Sequence, residues 1–247
     1  MKKTVDVCLS PDLLHLYNLE DKIVVVVDIL RATSCMTTAI AHGVKSIIPV
    51  ASLEECDKLR AKGCLAAAER DGKIATGFDL GNSPFSYMDE SINGKELAVT
   101  TTNGTLAIKK SEKAVQVLIG SFLNLSILSE YLIQQPHDIL VVCAGWKGKV
   151  NLEDTLFAGA LVDRLDGNCG LACDAPLAAV TLYKAAKDNL IGFLANSSHV
   201  KRLKKLDIEK DIAFCLQEDL YPVIPILKRG KLVKLKFTPV KVYTPTI

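Results

Sequence analysis

Short apolar runs alternate along the chain with segments that have helical periodicity. The most apolar run, residues 22–29 (KIVVVVDI), predicts a strand that is buried on both faces of a sheet. Further strands are predicted over 45–50, 64–68, 96–102, 114–119 and 138–143, and residues 221–233 predict two strands joined by a turn at Gly230. Helices are predicted over 34–42, 52–62, 124–134, 152–165 and 175–189, and from residue 105. This alternation predicts an α/β fold with a mostly parallel or mixed sheet flanked by helices.

The length of the chain, 247 residues, suits one unit over 1–247 or two tightly packed subdomains over 1–135 and 136–247. Lys plus Arg (30) nearly balances Asp plus Glu (28), and aromatic residues make up only 6%. A nucleic-acid-binding surface needs a basic excess or stacking aromatic residues, so we expect no nucleic-acid partner. We recognise no signal peptide and no apolar run long enough for a membrane span, and therefore expect a cytoplasmic protein. The oligomeric state stays open, a homo-oligomer included.

Polar or small residues follow four of the predicted strands. They are Asp28, the turn 101–104, Gly120 with Ser121, and Ala144 with Gly145. In open α/β sheets, ligands bind at the carboxyl ends of the strands. The four strand ends therefore predict one cleft.

Asp28 ends the most apolar strand, and Arg31 follows it three residues later. A carboxylate at this place can hold Mg²⁺ or orient a water molecule, and Arg31 can bind a phosphate through two hydrogen bonds. A helix-capping Asp28 paired with Arg31 is the structural alternative. A functional role is favoured because a charge at the end of a buried strand is costly unless it is used or paired. The segment is similar to the DxDxT motif of haloacid-dehalogenase phosphatases, but Leu30 and Ala32 depart from it, so a covalent aspartyl-phosphate mechanism is rejected.

Two further segments offer groups that bind anions. Residues 100–105 (TTTNGT) combine hydroxyl groups with a helix N-terminus, which predicts an anion cradle; an ordinary helix cap is the alternative. The irregular segment 69–91 is long enough to suggest a functional loop. Its polar residues are common in loops, but beside the strand ends they predict the other wall of the cleft: Glu69, Arg70, Asp79, Asn82 and Ser83.

The remaining polar groups carry weaker signals. Asn151 with Asp154 fits a helix cap and a metal site equally well. The four histidines lack metal-ligand spacing. Most of the eight cysteines lie in apolar runs, which predicts buried thiols rather than a zinc site or disulfides. The basic run 201–205 predicts a solvated helix face.

In their order along the chain, these motifs resemble the 2-phosphosulfolactate phosphatase (ComB) family. The matching residues are VVVVDILRAT, Glu69-Arg70, GFDLGNSP, TTTNGT, Gly120-Ser121, VCAG and LEDTLFAGA, within residues 22–230. The resemblance implies an α/β arrangement of two subdomains with the site between them. It also implies Mg²⁺-dependent hydrolysis of 2-phospho-3-sulfolactate to 3-sulfolactate and phosphate.

For this small anionic substrate, the resemblance implies three sets of residues. Asp28, Arg31 and Glu69 are expected to be catalytic. Asp28, Asp79 and Asp154 are expected to hold Mg²⁺, with Glu69 in reserve. The expected substrate-binding residues are Arg31, Thr33, Arg70, Asn82, Ser83, Thr101, Thr102, Asn103 and Gly104.

Direct attack by a metal-activated water is predicted, because no motif supports a histidine or cysteine nucleophile. Two alternatives stay open. The chain could be a metallophosphatase for another small phosphorylated carboxylic acid, or a non-catalytic module that binds an anionic metabolite.

Overall fold

The computed structural model describes residues 2–70, 73–204 and 208–238, which form eleven strands and nine α-helices. The strands are β1 (Thr4–Cys8), β2 (Lys22–Val27), β3 (Ser46–Pro49), β4 (Leu65–Arg70), β5 (Lys73–Ile74), β6 (Glu96–Thr100), β7 (Gln116–Gly120), β8 (Asp138–Cys143), β9 (Gly170–Leu171), β10 (Pro225–Lys228) and β11 (Lys231–Lys234). The helices are α1 (Ala32–Ala41), α2 (Leu53–Arg60), α3 (Gly104–Lys110), α4 (Leu125–Gln134), α5 (Leu152–Arg164), α6 (Asp174–Ala186), α7 (Leu190–Leu194), α8 (Ser198–Lys204) and α9 (Glu209–Cys215).

All eleven strands share one sheet, in the order β5-β4-β6-β3-β11-β10-β7-β2-β8-β1-β9. Strands β4, β6 and β3 form one parallel group, and β7, β2, β8, β1 and β9 form a second. The antiparallel hairpin β10–β11 joins the two groups. The predicted α/β class with a mixed, mostly parallel sheet is therefore confirmed.

The predicted boundary between residues 135 and 136 falls between β7 and β8, inside the second parallel group. The two halves of the chain consequently share one sheet. Helix α1 links β2 of the second group to β3 of the first. This link places the carboxyl end of β2 near the junction of the two groups.

The four valines of β2 explain how the sheet is covered. Val25 and Val27 belong to one apolar layer, with α4, α5 and α6, while Val24 and Val26 belong to the opposite layer, with α1 and α3. Because successive side chains of a strand point to opposite faces, a strand covered on both faces is apolar throughout. The apolar run ends where β2 leaves these layers, and Asp28 follows.

The predicted strands and helices are present, with ends that differ by a few residues. The pattern does not predict β1, β5 or β9. Strand β1 has polar residues at two of its five positions, and β5 and β9 have only two residues each. The segment 69–91 is less irregular than expected, since Glu69 and Arg70 end β4. Within the described residues, no helix has both the length and the apolar character needed to span a membrane.

Candidate active site

One cleft of about 90 Å³ collects side chains from both parallel groups. The residues that line the cleft lie at or after the carboxyl ends of β2, β4, β6 and β8 and on α8. They are Asp28, Leu30, Arg31, Glu69, Asn82, Asn103, Trp146, His199, Arg202 and Leu203. Three of the four predicted strand ends therefore contribute to it. The fourth end does not, because the Ser121 side chain is buried, with its Oγ 3.1 Å from Thr37 Oγ1 and 3.2 Å from Asn124 Oδ1.

Asp28 is held in place by the start of α1. Its Oδ1 accepts a hydrogen bond from the N–H of Ala32 at 3.4 Å, and its own N–H donates to Thr33 Oγ1 at 3.0 Å. On the other side, a Cβ at Gly104 would lie 2.9 Å from Asp28 Oδ2. Thr33 is fully buried, and the missing side chain of Gly104 provides the space in which the Asp28 carboxylate lies. Both residues, which were predicted to bind substrate, therefore contact Asp28 and do not line the cleft.

The environment of Asp28 disfavours its negative charge. Burial is the largest cause and raises the pKa of Asp28 to about 6. His199 and the N–H of Ala32 act in the opposite direction, whereas the charge of Glu69 raises this pKa further. Asp28 and Glu69 are only 8% and 6% exposed. Two buried carboxylates that repel each other are stabilised by a cation or a shared proton.

Arg31 and Arg70, the two predicted anion-binding cations, are placed differently. Arg31 is buried, lines the cleft and donates to Asp211 of α9. Arg70 is half-buried and donates to the carbonyl oxygen of Glu69 at 2.6 Å and to Thr100 Oγ1 at 3.2 Å. Arg70 therefore connects the ends of β4 and β6 and is not part of the lining.

A further cation enters the cleft from α8. The guanidinium carbon of Arg202 lies 4.5 Å from the centroid of the Trp146 ring, a distance typical of a cation–π contact. Arg202 Nη2 is buried and has no hydrogen-bond partner among the described residues. The predicted solvated helix face holds for the exposed Lys201 but is wrong for Arg202.

Of the predicted anion cradle, Asn103 lines the cleft and accepts a hydrogen bond from the N–H of Lys147 at 3.3 Å. Thr101 Oγ1 accepts a hydrogen bond from the N–H of Thr105 at 3.2 Å. Thr101 thus binds the first turn of α3, as the alternative of a helix cap predicts. Thr102 Oγ1 is buried without a partner in the described part of the chain. Only Asn103 of these residues borders the cleft.

The loop residues Asn82 and Ser83 are both half-buried. Asn82 lines the cleft, and both residues line an adjoining surface pocket together with Arg31 and Asp211. The amide of Asn82 is therefore the nearer donor for a ligand in the cleft.

The three aspartates predicted to hold a metal do not converge. Asp154 is buried, and its Oδ1 and Oδ2 accept from the N–H groups of Ile29 at 2.9 Å and Gly145 at 3.0 Å. Burial raises the pKa of Asp154 well above its usual value, and Glu153 and Asp28 raise it further. Asp79 is exposed and lies outside the lining.

Within residues 2–70, 73–204 and 208–238, no three His, Cys, Asp or Glu side chains are grouped closely enough to hold a metal. Mg²⁺ does not require such a group, since one or two carboxylates, water and a substrate phosphate commonly complete its six ligands. Asp28 and Glu69 both line the cleft and are buried, so this pair fits Mg²⁺ better than the three aspartates do.

The structure also places a histidine in the cleft. His199 is 8% exposed, and its Nδ1 is hydrogen-bonded to Oε1 of the fully buried Glu153. The ring centroids of His199 and Trp146 are 5.9 Å apart. The sequence does not indicate a role for His199, because no other histidine lies at metal-ligand spacing from it and its partner Glu153 is 46 residues away. No local signal marks them as a pair.

The chain is similar along most of its length to proteins of one family. A family model described as 2-phosphosulpholactate phosphatase matches residues 8–230. A Thermotoga petrophila protein named probable 2-phosphosulfolactate phosphatase is 42% identical over 233 residues, which cover 94% of this chain and 99% of that protein. Proteins with the same name are 40% identical in Caldanaerobacter subterraneus (86% of this chain, 90% of that protein) and 34% identical in Clostridium acetobutylicum (93% and 99%). The resemblance drawn from the motifs is confirmed: the chain belongs to the 2-phosphosulfolactate phosphatase family.

Proposed function

We propose that this chain hydrolyses 2-phospho-3-sulfolactate to 3-sulfolactate and phosphate in a Mg²⁺-dependent reaction. The observation that carries the proposal is the cleft itself, in which two buried carboxylates lie beside two guanidinium groups. A substrate that carries phosphate, sulfonate and carboxylate groups needs several cations to replace its water. The names of the similar proteins support the same reaction.

Asp28 and Glu69 are the residues that would hold Mg²⁺. When bound, the metal would neutralise charge on the phosphoryl oxygens and activate a water molecule for attack. Asp28 has a fixed position because the N–H of Ala32 and the close approach of Gly104 restrict its carboxylate. A divalent cation held by these residues would also offset the two causes that raise the pKa of Asp28, which are burial in the first place and then the charge of Glu69.

Arg31 and Arg202 bind the anionic groups of the substrate. The contact with Asp211 fixes the Arg31 side chain, and the ring of Trp146 supports Arg202. A guanidinium group that is already ordered loses little freedom when it binds an anion. Asn82 and Asn103 add amide groups along the lining.

Attack by water, rather than by a protein hydroxyl or thiol, fits the composition of the cleft. Its described lining contains no Ser, Thr or Cys side chain. The water oxygen bonds to phosphorus as the bond between phosphorus and the C2 oxygen breaks, which releases 3-sulfolactate. Trapping of a phosphorylated enzyme would contradict this route.

The first test is phosphate release from racemic 2-phospho-3-sulfolactate and from 2-phospholactate, each with Mg²⁺ and with EDTA. We expect release only with Mg²⁺ and at a higher rate on the sulfonated ester. Equal rates would identify a phosphatase for small phosphorylated carboxylic acids in general. Binding by calorimetry without release would identify a metabolite-binding module and overturn the proposal.

A pair of variants locates the activity in the cleft. Asp28→Asn is expected to lose at least about 100-fold in kcat and to bind Mg²⁺ more weakly. Asp188→Asn, which removes an exposed carboxylate of the segment Lys187–Asn189, is the matched control and should behave as wild type. Wild-type turnover and Mg²⁺ affinity in Asp28→Asn would place the activity elsewhere.

A further inference from the structure

Glu153 and His199 form a buried pair at the edge of the cleft. Glu153 lies in the first turn of α5 and is fully buried, and only one of its carboxylate oxygens, Oε1, has a hydrogen-bond partner among the described residues. That partner is Nδ1 of His199. The Asn151 side-chain nitrogen is also 3.5 Å from Nδ1. A buried carboxylate is costly unless it is paired, so His199 is the group that stabilises Glu153 in this place.

The contact with Glu153 determines what the imidazole can do. Because Nδ1 is bound, Nε2 is the ring nitrogen left to exchange a proton with a group in the cleft. A carboxylate at Nδ1 fixes the orientation of an imidazole and directs its other ring nitrogen, Nε2, to the remaining partner. The ring of Trp146 packs beside His199 and further restricts it.

We propose that His199 is a catalytic general acid that protonates the leaving oxygen of the substrate, and that Glu153 is its positioning residue. This inference rests on the proposed phosphatase function. The substrate is a phosphate ester of the C2 hydroxyl group of 3-sulfolactate, so its leaving group is an alkoxide. An alkoxide is a poor leaving group unless it receives a proton. General acid catalysis of such a step contributes about 100- to 10,000-fold.

The step balances as a simple hydrolysis. Water adds to phosphorus, and the electron pair of the breaking bond between phosphorus and the C2 oxygen stays on that oxygen. The C2 oxygen takes the proton from Nε2 of His199, and a proton of the attacking water passes to solvent. Solvent then returns a proton to the imidazole, so one water is consumed for each ester cleaved.

The test replaces one atom of the substrate. In the probe, sulfur takes the place of the bridging oxygen of 2-phospho-3-sulfolactate. Thiols have a pKa of about 8.5, so a thiolate is far less basic than an alkoxide and leaves without help from a proton donor. His199→Gln should lose at least about 100-fold in kcat on the oxygen ester and less than about 10-fold on the sulfur ester. Glu153→Gln should show the same preference with a smaller loss.

His137→Gln, a half-buried histidine outside the cleft, is the matched control. His199→Asn provides a second substitution, and urea unfolding checks that each variant folds. Equal losses of kcat on both esters would show that His199 only shapes the cleft and would overturn the inference. Wild-type protein that releases phosphate from neither ester would instead overturn the proposed function, and the inference with it.

Discussion

The close approach of Gly104 to Asp28 gives the sharpest test of how far the position of this carboxylate determines activity. In Gly104→Ala the new methyl group would lie 2.9 Å from Asp28 Oδ2 and 2.9 Å from Ala32 Cβ. Carbon–carbon contacts are ordinarily at least about 3.5 Å, and carbon–oxygen contacts about 3.3 Å. The methyl and Ala32 must therefore separate by about 0.6 Å, and the carboxylate oxygen must move by about 0.4 Å.

This movement lowers both activity and stability. Overpacking costs about 1–3 kcal/mol, and the preference of helices for alanine over glycine offsets up to about 1 kcal/mol at the start of α3. A displacement of about 1 Å in a pre-organised site costs about 100-fold in rate, so about half that displacement corresponds to about 10-fold. We therefore expect kcat/KM to fall about 10-fold while the free energy of unfolding falls by no more than about 3 kcal/mol.

The assay is Mg²⁺-dependent phosphate release, with urea unfolding measured on the same preparations. Gly170→Ala is the matched control, because the atom nearest to its added methyl group is Thr4 Cγ2 at 3.9 Å. Full activity and unchanged Mg²⁺ half-saturation in a folded Gly104→Ala protein would refute the reasoning, since the crowded carboxylate would then play no part in the reaction.

Three further substitutions test the framework around the site. Asp154→Asn replaces one carboxylate acceptor by a donor that faces a backbone N–H, so urea unfolding should show a loss of about 1–3 kcal/mol. In Gly159→Ala the added methyl would lie 2.1 Å from the carbonyl oxygen of Ala179, so α5 and α6 must separate, and unfolding should again show a loss of about 1–3 kcal/mol. Hydrogen bonds from Lys231 and a serine hydroxyl lower the pKa of Glu96, so the stability that its charged form contributes is present at neutral pH and is lost as the pH falls through that lowered pKa. Glu96→Gln should consequently unfold at a lower temperature than wild type at pH 7, and this difference should shrink as the pH falls through the lowered pKa of Glu96. A difference that stays constant with pH would contradict this assignment.

Much of the sheet could be predicted because its signals are local. The valines of β2 alternate between two apolar layers, so the apolar run and its end at Asp28 report directly on burial. The hairpin β10–β11 was likewise predicted from its apolar runs and Gly230. Its place between the two parallel groups was not, because single bridges to β7 and β3 hold it, and neither partner is near it in sequence.

Arg202 and His199 show why part of the cleft escaped prediction. Both lie on the short helix α8, where a basic run is ordinarily a solvated face. What changes their role is contact with Trp146 after β8 and Glu153 on α5, about 50 residues earlier in the chain. Periodicity reports which face of a helix is apolar, but it does not report which polar side chain finds a buried partner.

Asp28 and Asp154 illustrate the remaining ambiguity, which concerns chemistry rather than position. Both carboxylates are buried near strand ends, and burial is the largest cause of the raised pKa of each. Asp154 uses both oxygens to accept backbone N–H groups, and so fixes the loops after β2 and β8. Asp28 borders the cleft with Glu69. The sequence shows the same residue type, a buried Asp, in both cases. Only the hydrogen-bond donors around each carboxylate oxygen distinguish a carboxylate that organises a loop from one that binds a ligand.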